Sequence, residues 1–332
     1  MPLSAQCLRY FIIENAMRWI DSYFYNPNIW QKCLSITLLP VSLLYGICAL
    51  IRRKCGKFYD FSLPIVSLGN LIVGGSGKTP FIIETARHFE KVAIVSRGYK
   101  RASKGLVVVS EWGEIRVSQL ESGDEPYLLA RELKNASVIV CKDRKKAIEK
   151  AKQMGAKVVF LDDGFRLAFK KLNIVLIPLL KPYFSLCLPS GMYREIPSAY
   201  KAADILVREG IDYTREVDIE SPSQRMLLLT AIANPARLDE FLPDVVGKIT
   251  LSDHARFDKV FLEQAISQYN ATSLLVTSKD EVKLLDYGLP LSVMRLKLTI
   301  KPDILERIRT YIECFDSPVD LQDSKPNQKE RV

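Results

Sequence analysis

Histidine is nearly absent from this 332-residue chain, with His88 and His254 the only two. That scarcity argues against a histidine-rich metal centre and makes either imidazole easy to test as a catalytic group. The seven cysteines (positions 7, 33, 48, 55, 141, 187 and 314) form no C-x-x-C and no paired spacing. A zinc ribbon or disulfide framework is therefore not expected, and a reducing compartment is the simpler reading. No internal repeat is visible. Uncharged runs long enough to suggest a membrane segment are also scarce, the longest being the 19 residues from Cys33 to Ile51, CLSITLLPVSLLYGICALI. With 48% hydrophobic and 26% charged residues, the composition fits neither a disordered chain nor a polytopic transporter. The length suffices for two ordinary domains or one large one.

Positive charge is in excess, at a formal net of +9. Such a balance points to an anionic partner: nucleic acid, nucleotide phosphate or an acidic lipid surface. Position narrows the choice, because Arg52-Arg53-Lys54-Cys55-Gly56-Lys57 directly follows the apolar run. Basic residues flanking an apolar segment resemble a membrane boundary more than a DNA-binding face, and no helix-turn-helix or aromatic-plus-basic strand surface stands out. As one helix the run would reach about 28 Å, close to a hydrocarbon core. Pro40 near its middle, with Ser35, Thr37 and Ser42, leaves a span, an interfacial helix, a bent pair and a buried helix all open. The run begins too late, and its basic flank lacks the small-residue site, for a cleaved signal peptide. Upstream, Leu8, Phe11, Ile12, Met17 and Ile20 have helical spacing within residues 6–24. If the run spans, the positive flank places the rest of the chain in the cytoplasm.

From residue 61 short apolar runs alternate with helical stretches. Strands are expected at 63–69, 92–96, 137–141, 157–163, 173–179 and 204–209, a hairpin at 106–111 with 114–119, and helices at 79–89, 126–133 and 144–154. This pattern predicts an α/β fold, a P-loop NTPase-like parallel sheet with helices on both faces. After a polar stretch at 212–224, a smaller α/β set follows: strands at 226–233, 273–278 and 293–300, a helix after Asn234-Pro235, and helices at 259–269 and 304–315. The expected organisation is membrane-associated N-terminal helices (1–57), a P-loop kinase domain (58–222), a C-terminal α/β domain (223–316) and a polar tail (317–332).

The segment GNLIVGGSGKTP, Gly69 to Pro80, lies between a predicted strand and a predicted helix, the context a phosphate-binding loop requires. Ile72, Val73, Gly74, Gly75, Ser76 and Gly77 form the loop, whose glycines let backbone N–H groups approach a polyphosphate. Lys78 adds a point charge, and the Thr79 hydroxyl can ligate Mg²⁺. The loop departs from the common form in having Ile72 at the first glycine position. About eighty residues on, KVVFLDDG ends a strand with Asp162 and Asp163, as a Mg²⁺-ATP site needs. Guanine is not indicated: in Thr277-Ser278-Lys279-Asp280 the lysine adjoins the aspartate, and Asp162-Asp163-Gly164 has the wrong spacing for a switch motif. SRGYK places Arg97 and Lys100 at a strand end, GDEP puts Asp124 and Glu125 at a helix start, and Asp143-Arg144 opens another helix. For Asp124 and Arg144 a helix cap and a structural ion pair are the plain alternatives.

In order along the chain, GNLIVGGSGKTP, SRGYK, GDEP, DRKKA (143–147), LDDGF (161–165), LPSGMYRE (188–195), LSDHARF (251–257) and VTSKD (276–280) resemble the tetraacyldisaccharide 4'-kinase (lipid A 4'-kinase) family over most of residues 35–285. The resemblance implies transfer of the ATP γ-phosphate to the 4'-hydroxyl of tetraacyldisaccharide 1-phosphate, giving lipid IVA. It also implies a place at the cytoplasmic face of the bacterial inner membrane, with a lipid substrate and a membrane surface as partners and no obligate protein partner. By position, the family's catalytic base falls on Asp124, its histidine partner on His254, its loop lysine on Lys78 and its DR arginine on Arg144. Its metal-site groups fall on Thr79, Asp162, Asp163 and the RE-motif Glu195. Three departures stand out: Arg166 and Leu167 replace the Gln and His of DDGxQH, Ala255 follows His254 where the family has DHH, and Met192-Tyr193-Arg194-Glu195-Ile196 replaces PLREP. From the residues alone, a membrane-tethered P-loop ATPase driving a partner protein remains the alternative.

Overall fold

The structure, a computed structural model, describes residues 19–232, 234–253 and 255–315. The expectations for residues 1–18, for His254 and for the tail 317–332 lie outside these.

Residues 19–25 are helical, followed by α1 (Ile29–Thr37) and α2 (Leu39–Lys54). Asn28 opens α1 with a reciprocal capping box to Gln31. The apolar run is thus a bent pair: the two helices meet at 54° across Leu38, next to Pro40, and no single helix among the described residues is long and apolar enough to cross a membrane. Their buried positions are polar or small (Gln31, Ser35, Ser42, Gly46, Ala49), whereas Trp30, Ile36, Leu43, Leu44, Ile47 and Ile51 face outward. Ser35 donates to the Ser190 carbonyl at 2.7 Å, and Ser42 lies 2.8 Å from both Oγ and N of Ser190.

The larger sheet contains β1 (Ile65–Gly69), β2 (Val92–Ser96), β3 (Val107–Glu111), β4 (Glu114–Ile115), β5 (Ser137–Val140), β6 (Val158–Asp162), β7 (Leu172–Ile177) and β8 (Ile205–Arg208). Their order is β4-β3-β5-β2-β6-β1-β7-β8, parallel from β5 to β8 with an antiparallel hairpin at the β4 edge. Runs such as IVSLG, VAIVS and VVFLD are buried along their whole length, as a sheet covered on both faces requires. One face packs α3 (Lys78–Ala86), α4 (Gln119–Ser122) leading into α5 (Asp124–Glu132), and a core built on Phe81, Leu129 and Phe160. The other face carries α6 (Arg144–Gln153) through Ala147, Ile148 and Ala151.

The smaller sheet has order β11-β10-β12-β13-β9, from β9 (Tyr213–Glu220), β10 (Met226–Thr230), β11 (Gly247–Thr250), β12 (Ser273–Thr277) and β13 (Leu291–Ile300). Around it lie α7 (Lys259–Gln268), the single turn α8 (Ser278–Glu281) and α9 (Pro302–Phe315). The stretch expected as polar connection is strand β9. Its residues alternate, with Tyr213, Arg215, Val217 and Ile219 turned inward and Thr214, Glu216, Asp218 and Glu220 exposed, a period of two hidden by the polar residues on its outer face. The helix expected after Pro235 is a 3₁₀ segment, Pro235–Phe241. Strand β9 pairs antiparallel with β13, from Val293 opposite Glu220 to Ile300 opposite Tyr213. The far end of this ribbon leaves its own sheet and enters the first core, where Tyr213, Leu298 and Ile300 are buried with Phe81. The Tyr213 and Phe81 rings meet edge-on at 5.6 Å.

Phe81 is wholly buried at this joint, so Phe81→Ala should lower unfolding stability by about 3–5 kcal/mol through lost burial and a residual cavity. Urea denaturation of the two proteins measures it, and a loss below about 1 kcal/mol would show that the ribbon is not packed on α3.

Candidate active site

Strand β1 ends at Gly69 in the middle of the larger sheet, and the chain turns through Asn70 to Ser76 into α3. Gly77 caps that helix at φ 79°, a left-handed conformation costly for other residues, and a Cβ there would collide with Arg215. The loop opens on a cleft of about 790 Å³ lined by elements of both sheets. From the larger sheet come residues 73–80, Ser96, Arg97, Glu125, Arg144, Asp162, Asp163 and Arg194; from the smaller side come Arg215, Arg237, Asp253 and Lys279.

Asn70, given no role by sequence reading, organises the loop. It is buried, donates to the Ile72 carbonyl at 2.7 Å, and accepts from Lys78 Nζ at 3.0 Å and Arg194 NH2 at 2.5 Å. Arg194 also grips Asp163 in a two-pronged pair, NH1 to Oδ2 and NH2 to Oδ1, each at 3.1 Å. Lys78 Nζ stands 3.9 Å from Asp163 Oδ1. Burial acts to raise the Asp163 pKa, but Lys78, Arg194 and Arg166 outweigh it and hold the carboxyl below its usual range. Asp162 is different: fully desolvated, it is pushed up to about 6, against the opposing pull of Lys78 and a hydrogen bond of 2.9 Å from Ser96. Arg144 is buried beneath the pair, donating to the Cys141 carbonyl at 2.6 Å and the Asp162 carbonyl at 3.3 Å, and burial lowers its pKa. The proximity of Asp162, Asp163, Lys78, Thr79 and Arg144 expected from sequence is thus present in one cleft.

Glu195 is not with them. It is buried, does not line the cleft, and is paired with Arg166 Nε at 2.8 Å and Arg52 NH2 at 3.5 Å. Of Arg194-Glu195 the arginine lines the cleft, while the glutamate, which the resemblance gave to the metal site, ties α2 to the body. Among the described residues no cluster of three or more His, Cys, Asp or Glu forms a cation cage.

Asp124 stands at the first turn of α5, just after the N-cap Gly123, where negative charge favours the helix dipole. It accepts from Gln119 Nε2 and lies 3.8 Å from Lys283 Nζ. Its neighbour Glu125 accepts from Lys279 Nζ at 3.0 Å, and the same ammonium reaches Asp253 at 3.2 Å. Burial pulls the Lys279 pKa down, and the Glu125 and Asp253 carboxylates outweigh it, so it sits above the ordinary lysine value. The residue after Asp124 and the residue before His254 therefore share one lysine. Sequence reading placed Lys279 in a failed guanine motif and in the VTSKD segment of the family resemblance, but gave it no role of its own.

The family model for tetraacyldisaccharide-1-P 4'-kinase matches residues 34–313. A tetraacyldisaccharide 4'-kinase of Helicobacter pylori strain HPAG1 is 56% identical over 298 residues, covering 90% of this chain and 96% of that protein. One from Campylobacter jejuni strain NCTC 11168 is 43% identical over 305 residues, covering 91% and 98%. Among solved structures, LpxK from Aquifex aeolicus in complex with ATP matches at TM-score 0.67 and 27% identity, covering 84% of this chain and 99% of that one.

Replacing Lys279 with Met keeps its length but removes the ammonium that Glu125 and Asp253 share. We expect a stability loss of about 1–3 kcal/mol and a fall in turnover, read by urea denaturation and phosphoryl transfer. Unchanged values on both would show that the bridge holds nothing in place.

Proposed function

The chain belongs to the tetraacyldisaccharide 4'-kinase family, and we propose how its cleft divides the labour of that reaction. The protein is an ATP-dependent lipid kinase that phosphorylates the 4'-hydroxyl of tetraacyldisaccharide 1-phosphate in lipid A biosynthesis. Family membership decides against the ATPase that drives a partner. The observation that carries the division of labour is the convergence of the Gly74–Thr79 loop, the Asp162–Asp163 pair and the Glu125–Lys279–Asp253 bridge on one cleft.

The loop backbone and Lys78 hold the phosphates, with Arg194 and Asn70 fixing the loop and Asp163 in place. Thr79 and Asp162 would hold Mg²⁺, their hydroxyl and carboxylate oxygens being the donors this hard cation takes beside phosphate and water. The desolvation that raises Asp162 is what an adjacent cation would offset, so the donor set fits; the ion would neutralise phosphate charge. Asp124 takes the proton as the 4'-oxygen bonds to the γ-phosphorus and the bond to the bridging oxygen breaks, leaving ADP. His254, next to Asp253, is assigned as its partner, keeping the carboxylate ionised. The ammonium of Lys283 beside Asp124 also favours the charged base.

If Asp124 is that base, Asp124→Asn should slow transfer from labelled ATP to the lipid by about 10²–10⁴, while ATP affinity stays within about twofold. Near-normal transfer by the folded variant would remove the assignment.

The inverted face of α1 and α2 supports membrane attachment. Polar and small residues face the body, and Trp30 at 80% and Leu44 at 62% exposure face outward beside Arg52 and Lys54. The helices lie in the lipid interface at the cytoplasmic face, bringing the acylated substrate to the cleft without a span. Changing Leu44, Ile47 and Ile51 together to Ser should release the protein from anionic vesicles and raise the apparent KM for lipid. Its thermal midpoint should hardly move, since these side chains pack on little. Unaltered vesicle binding would assign the anchoring to another surface.

A further inference from the structure

Beyond the loop, the structure holds a second cationic group that the reaction as described does not use. Arg215 points inward from β9, and Arg237 comes from the 3₁₀ segment after Pro235. Both pair with one oxygen of Glu209, Arg215 through Nε at 2.5 Å and Arg237 through NH2, and Arg237 NH1 donates to the Gly75 carbonyl at 2.7 Å. Two guanidinium charges thus share one carboxylate. The NH2 group of Arg215 is buried against Gly77, beside the Tyr213 hydroxyl, and no carboxylate among the described residues pairs with it.

That placement is unfavourable for the protein alone. Gly77 caps α3, whose N-terminus carries the positive end of the helix dipole, and Lys78 follows at once. A buried guanidinium N–H without an anionic acceptor is destabilising, more so than a neutral donor would be. An anion at Gly77 removes both penalties together, and a phosphate oxygen fits a guanidinium N–H better than it fits any neutral donor.

We propose that Arg215 is a phosphate-binding residue of this kinase, its NH2 group taking an oxygen of the nucleotide's terminal phosphates at Gly77. Glu209 is a positioning residue that holds the guanidinium in place, and Arg237 steadies the loop through Gly75. Because Arg215 lies on the ribbon and the loop on the larger sheet, ATP ties the two sheets together through its phosphates. The inference rests on the reading of Gly74–Thr79 as the nucleotide loop. A second phosphate is available in the reaction, the 1-phosphate of the lipid, and the same chemistry would bind it.

The test measures ATP affinity by calorimetry and the KM for lipid on the full chain, for Arg215→Ala, Arg215→Lys and, as the comparison, Lys78→Ala. Arg215→Ala should weaken ATP about tenfold or more, with the lipid KM near normal, and should shrink the rise in thermal midpoint that ATP induces. The midpoint without ATP should stay close to the parent's, because Arg237 still neutralises Glu209. Arg215→Lys, which keeps charge and loses the fork, should fall between the two and serves in place of Arg215→Ala if that protein does not fold. ATP affinity within twofold of the parent in folded Arg215→Ala, with Lys78→Ala impaired, overturns the proposal and leaves the loop assignment standing. A raised lipid KM with intact ATP affinity overturns it in favour of the lipid phosphate. Intact affinity in both alanine variants overturns the loop assignment and the proposal with it.

Discussion

The site depends on one mechanical constraint, the antiparallel ribbon of β9 and β13. At one end it is an ordinary part of the smaller sheet; at the other, Tyr213, Leu298 and Ile300 are buried in the core of the larger one. A hydrogen-bonded ribbon resists shear along its length, and apolar burial fixes where it is seated. The loops of the smaller sheet that carry Asp253 and Lys279 are therefore held opposite the phosphate loop rather than tethered near it. The two sheets are neither one layer nor two free bodies, because the ribbon belongs to one and is buried in the core of the other.

Across that frame the cleft gathers more positive charge than the protein itself neutralises. Lys78, Arg97, Arg144, Arg194, Arg215, Arg237 and Lys279 all line it, against Glu125, Asp162, Asp163 and Asp253, with Glu209 behind. The carboxylates are not interchangeable. Asp163 is committed to cations already present, which hold its pKa below the usual range, whereas burial pushes that of Asp162 up to about 6. Two adjacent residues thus have separate duties because their neighbours differ, the strand's last carboxylate facing Ser96 and the next facing Arg194.

Much of the fold was legible because it is local. Fully apolar strands such as VAIVS and SLLVT needed no tertiary information, nor did a glycine-rich loop between a strand and a helix. What failed to show depends on partners far along the chain. Strand β9 was read as connection because four of its eight residues are polar on the exposed side, and only the opposite face packs into the protein. In Arg194-Glu195 the sequence offers two charged neighbours; which one faces the cleft is decided by Arg52 and Arg166, which claim the glutamate. Lys279 acquires its meaning from Glu125, 154 positions away, and no local pattern encodes that pairing.

The N-terminal helices show the same limit in another form. Periodicity reveals that one face differs from the other, but not which faces the protein. Here the polar face is the inner one, because Ser190 presents a carbonyl, an amide and a hydroxyl that Ser35 and Ser42 satisfy, and Gly46 allows Ile196 to approach within 3.3 Å of where a Cβ would stand. With the polar positions consumed inward, the apolar ones are left facing outward as a continuous stripe, the kind of patch that marks an interaction surface. The bend at Leu38 keeps both helices against the body, and Arg52 at the end of the second reaches Glu195, the residue beside Arg194 in the cleft. The helix that carries the exposed apolar stripe and the arginine that fixes Asp163 are thus joined by one ion pair and one peptide bond. In the interfacial reading proposed above, that short connection couples the surface assigned to lipid with the loop assigned to the phosphate donor.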